Sequence, residues 1–110
     1  MSAAPDHPSD GKKVLLTWNS RPKHQRELLH HVREVVNKIA PLGLELKDAW
    51  LTVYGDAPEI LLGFTPRRGL EEQLESILGG DEWREIMRDL SQYIVDYEQR
   101  VVKASDGFQF

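Results

Sequence analysis

The stretch Leu44-Glu-Leu-Lys-Asp-Ala-Trp-Leu-Thr-Val-Tyr54, with Gly55-Asp-Ala-Pro58 and Glu59-Ile-Leu-Leu-Gly-Phe-Thr65 after it, decides the fold class. Two apolar runs flank a cluster of Gly, Asp and Pro, the pattern of a β-hairpin. Alternation in the first run slips. Leu44 and Leu46 share a phase with Trp50, but Asp48 intrudes on it, and Leu51 and Val53 lie on the opposite phase. A bulge near Lys47-Asp-Ala49 accounts for the slip, because one extra residue re-aims the side chains that follow.

Upstream, Lys13-Val-Leu-Leu-Thr-Trp18 reads as a strand ending at Asn19-Ser20. Ser20-Arg-Pro22 supplies a cap-like residue and an early proline, and Leu28, Leu29, Val32, Val35, Val36 and Ile39 recur at helical spacing. Pro41 and Gly43 stop that helix. Downstream, Leu70, Leu74, Ile77 and Leu78 mark a short helix closed by Gly79-Gly80. Trp83, Ile86, Met87, Leu90, Ile94, Tyr97 and Val101 then form a stripe read as one long final helix, with Asp81 and Glu82 at its start.

The expected fold is therefore α+β, in the order β-α-β-β-α-α. A crossover joins the first two strands, which are expected to run parallel as neighbours. The hairpin adds a third strand, giving a three-stranded mixed sheet with helices on one face. The layout resembles a ferredoxin-like arrangement in outline, with its fourth strand replaced by helix. Residues 1–11 read as a flexible tail, 12–104 as one domain and 105–110 as a C-terminal tail.

Val14, Leu16 and Trp18 alternate against Leu15, and Ile60, Leu62 and Phe64 against Leu61. A solvated sheet face would alternate to polar residues. Here both faces carry large apolar side chains, so the face away from the helices needs a cover. The tail residues Phe108 and Phe110 are one candidate, and a second copy of the chain is the favoured one. Leu15, Leu61, Phe108 and Phe110 are the expected interface residues.

The chain has 110 residues, no cysteine, a net charge of −4 and a charged fraction of 29%. Absent thiols exclude a disulfide framework and thiolate chemistry. The acidic balance argues against nucleic acid, and no apolar run is long enough to span a bilayer. A cytoplasmic location is the expectation.

Four constellations carry residue types that bear on chemistry. Arg21, Lys23 and His24 surround the start of the first helix, and Arg67, Arg68 and Gly69 precede the start of the second, at the expected opposite end of the sheet. The latter form the better anion-binding candidate, because arginine grips phosphate or carboxylate through two parallel hydrogen bonds. His24, Glu27 and His31 have metal-ligand residue types at helical spacing. They read instead as a solvated flank with Glu27–His31 and His30–Glu34 helix pairs, so neither metal nor cofactor is expected. Asp48, set within an apolar strand, is a weak acid–base candidate. Trp18, Trp50, Tyr54, Phe64, Trp83, Tyr93 and Tyr97 supply aromatic surface, for which core packing is the ordinary explanation.

No phosphate loop, nucleophile elbow or zincin helix appears. The sequence therefore points to a non-enzymatic interaction or regulatory module that homodimerises through its apolar sheet face, with a further protein partner in view. The rival is a small anionic-ligand binder or enzyme, with a pocket between sheet and helices or at the dimer seam.

Overall fold

The computed structural model describes residues 11–56 and 58–103. Strand β1 (Lys12–Ser20) leads through a 3-10 turn at Pro22–Glu27 into helix α1 (Leu28–Ile39). The hairpin strands are β2 (Leu44–Leu51) and β3 (Ile60–Pro66). Two helices follow, α2 (Leu74–Leu78) and α3 (Asp81–Leu90), and the described chain ends in strand β4 (Ile94–Lys103). Phe108 and Phe110 lie outside the described residues.

The sheet has four strands in the order β2-β3-β1-β4, and every pairing is antiparallel. This corrects the expected three-stranded mixed sheet in two ways. First, β1 and β2 do run parallel, but β3 lies between them. That placement gives β1 two antiparallel neighbours, and antiparallel pairing is slightly more stable per residue than parallel pairing. Second, the final helix stops at Leu90 and the chain returns as β4, completing the ferredoxin-like β-α-β-β-α-β order.

A bulge explains why β4 imitates a helix in sequence. Thr17 pairs with Glu98 and Asn19 with Val95, so β4 carries one more residue than β1 across this interval. Asp96 takes the left-handed conformation there, with φ of 56°. The extra residue puts Ile94 and Tyr97 on one face three positions apart, a helical step produced by a strand. The bulge expected near Lys47 is also present, between Leu46 and Asp48.

The helices cover one face of the sheet. Val14, Leu16 and Trp18 of β1 and Ile60, Leu62 and Phe64 of β3 are buried against Val35 and Ile39 of α1, Leu74 of α2 and Trp83 and Leu90 of α3. Leu29, expected on the apolar side of α1, is instead 67% exposed. Gln99 of β4 faces this core as a polar residue. Its Oε1 accepts from Trp83 Nε1 at 3.0 Å and from the Tyr97 hydroxyl at 2.9 Å.

Two tests follow from this packing. Gly43 closes the 3-10 turn after α1 with φ of 106°, and a Cβ there would lie 2.5 Å from Leu70 Cδ1. Left-handed backbone costs a non-glycine residue about 1–3 kcal/mol. Gly43→Ala is expected to lower the unfolding free energy by that amount, seen as a lower urea midpoint with an unchanged slope. Tyr97 supplies the second test, because burial pushes its pKa up to about 12. Below pH 10 the phenol is neutral whether folded or not. Between pH 10 and 12 the unfolded chain ionises and the folded one resists, so stability falls as pH rises. Tyr97→Phe should flatten that decline in urea melts run across the interval.

Candidate functional site

The face that no described element covers is built by the side chains that alternate with the core residues. Across its centre, Trp50, Leu61, Thr17 and Glu98 stand in one row over the four strands. The next row is Asp48, Gly63, Leu15 and Arg100, and Lys13 pairs with Val102 beyond it. Leu15 and Leu61 are half-buried, while Trp50 is 65% exposed. Past β2 the hairpin tip raises Val53 and Tyr54, which are 89% and 96% exposed.

Charges on this face are paired within the chain. Lys13 pairs with Asp48 and Arg100 with Glu98, and Lys47 Nζ lies 3.4 Å from Glu45 Oε1. Gly63 makes the first of these possible. A Cβ at that position would fall 2.8 Å from Asp48 Oδ2 and 3.1 Å from Lys13 Cδ, because the ion pair crosses directly over it. Asp48, considered for acid–base work from its place in an apolar strand, is thus engaged by a lysine from β1. Thr17, in the central row, is buried and its Oγ1 has no hydrogen-bond partner among the described residues.

Arg67, Arg68 and Gly69 are exposed at one end of the sheet. Two backbone N–H groups of this loop are engaged within the chain. Arg67 N–H donates to the Gly43 carbonyl at 2.8 Å and Gly69 N–H to Glu71 Oε1 at 2.9 Å. The register of β1 with β3 places Arg21 at the other end, as the element order implies.

At that other end lies a cluster that the expected solvated flank does not describe. His31 is 5% exposed, and its ring stacks on Tyr93 with centroids 4.1 Å apart. Tyr93 also meets His24 edge to face at 5.1 Å. Glu27 turns to His24, with Oε1 3.3 Å from Nδ1, and the expected Glu27–His31 pair does not form. His30 does face solvent and pairs with Glu34 at 3.5 Å. Burial of His31 was not legible from α1 alone, since it depends on Tyr93 arriving from the turn between α3 and β4.

No family model and no curated protein matches the chain. Solved structures do match its fold. A NIPSNAP-domain protein from Burkholderia xenovorans superposes with a TM-score of 0.60 at 12% identity, covering 86% of this chain and 95% of that one. A NIPSNAP-family protein from Agrobacterium tumefaciens gives 0.58 at 20% identity, covering 86% and 93%. A protein described as an antibiotic biosynthesis monooxygenase gives 0.54 at 16% identity, covering 86% and 98%. The chain shares the α+β fold of these proteins, with a four-stranded antiparallel sheet and helices on one side. Among the described residues, no helix is long and apolar enough to cross a membrane.

The geometry over Gly63 can be tested directly. Gly63→Val is expected to push the Lys13 and Asp48 side chains apart and to cost about 1–3 kcal/mol, the usual range for overpacking. Chemical denaturation would measure the loss. The same substitution in a Lys13→Ala/Asp48→Ala background should cost less, because the side-chain atoms that cross over Gly63 are gone.

Proposed function

We propose that this chain acts as a homodimer joined through the uncovered sheet face, and that the dimer serves as a non-enzymatic interaction or regulatory module. The observation that carries this reading is the uncovered face itself. It presents Leu15, Leu61, Trp50 and Val102 among charges that are already paired within the protomer. Two copies related by a two-fold axis meet there without confronting unpaired like charges.

The dimensions favour a second copy over the tail. Four strands about 4.8 Å apart and six residues long project an area of roughly 400 Å². Side-chain relief and the hairpin with Val53 and Tyr54 extend this toward the ~800 Å² per partner of a stable interface. Phe108 and Phe110 offer only two side chains against a face four strands wide.

An enzymatic role has less support. One fold neighbour is described as an antibiotic biosynthesis monooxygenase, and its chemistry would call for a substrate cavity. Between sheet and helices this chain places Trp18, Phe64 and Trp83, all buried in the core. A groove of about 330 Å³ beside Leu42, Ile86, Glu82 and Glu85 is open to solvent and acidic in lining.

Sedimentation equilibrium at micromolar concentration is expected to show a dimer. Leu15→Glu or Leu61→Glu places a charge twice in a symmetric interface, at a few kcal/mol each, and is expected to weaken association by more than 100-fold. Circular dichroism should show the helices intact. A wild-type monomer, or variants that remain dimeric, would overturn the proposal.

A further inference from the structure

We infer that His24, Glu27 and His31 form a binding site for a divalent transition-metal ion at the start of α1. The three side chains offer one ligand atom each, and those atoms all lie within 4.8 Å of one another. Two imidazoles and one carboxylate are a donor set suited to Zn²⁺ and its neighbours, with further positions left for water or an incoming ligand. Ligand atoms on a tetrahedral zinc stand roughly 3.3 Å apart, so small side-chain rotations would close the set.

The second observation is the state of His31. Its side chain is 6% exposed, and Nε2 is buried without a hydrogen-bond partner among the described residues. Leaving a buried polar atom unmatched costs about 1–3 kcal/mol. The Nδ1 atom is the one turned to Glu34, at 3.9 Å. Side chains on a helix lean toward its N-terminus, which for His31 is the side of Glu27 and His24. An ion held by the three groups would give the buried imidazole of His31 a partner.

The surroundings fix both rings. Tyr93 stacks on His31 and contacts His24 edge-on. Its carbonyl accepts the Arg21 N–H at 2.9 Å, tying the turn after α3 to the chain just before His24. Such orientation of ligands by their neighbours is what metal sites require. The site is independent of the sheet face and of any dimer.

The test is calorimetric titration of the full chain with Zn²⁺, together with the absorption spectrum of the Co²⁺ form. One ion is expected per chain, with intense visible bands of low-coordinate cobalt. His24→Ala and Glu27→Gln should each weaken binding at least tenfold. His30→Ala and His7→Ala, which alter the two histidines outside the set, should leave it unchanged. His24 and Glu27 are partly exposed, so their variants remain informative where His31→Ala fails to fold. The proposal is overturned if Zn²⁺ fails to bind below 100 µM. It is equally overturned if His30→Ala or His7→Ala weakens binding as much as His24→Ala does.

Discussion

The backbone of β1 is hydrogen-bonded along both edges, to β3 and to β4, while Val14, Leu16 and Trp18 on its inner face are wholly shielded from solvent. A strand so placed constrains the other elements. Its inner residues set where α1 and α3 can pack, and its register with β3 sets which end of the sheet each loop occupies. The same alternation that buries Trp18 presents Leu15 and Thr17 on the opposite side. An apolar outer face is therefore a consequence of how the core strand is written, and covering it is a problem that the helices cannot solve.

Much of this was legible in the sequence because each signal was local. Helix α1 has its stripe and its Pro41–Gly43 stop, the hairpin has its turn, and the slip in phase at Lys47 marks a bulge that the structure contains. Strand β4 was hidden for a physical reason. The bulge at Asp96 spaces Ile94 and Tyr97 by three, and Val101 continues the apparent helical stripe. Gln99, the inward residue that would have restored alternation, is polar because it accepts from Trp83 and Tyr97. Nor does the stretch Ser91-Gln-Tyr93 contain a glycine or proline to announce the end of α3. The missed strand and the missed helix end are thus one error with one cause.

The candidate sites divide along the same line. Leu15 and Leu61 were legible as outward-facing, since strand alternation alone puts them there. The ion pair over Gly63 was not, because it needs the order in which strands sit side by side. His31 was harder still. In isolation it belongs to a polar flank with His30 and Glu34, and only the turn that leads into β4 brings Tyr93 onto its ring. Failure to see β4 therefore also concealed the burial of His31.

Filling of the interior determines where function can reside in this molecule. Trp18, Phe64 and Trp83 occupy the layer between sheet and helices. The two regions proposed for recognition are the outer sheet face and the histidine end of α1. These regions differ in character. The sheet face is broad, apolar and neutral through paired charges, which suits a large and flat partner. The histidine end is narrow and rich in lone pairs, with one nitrogen unmatched, which suits an ion. Strand β1 bears on both, since its outer face carries Leu15 and its C-terminal end leads through Arg21 to the turn that holds His24.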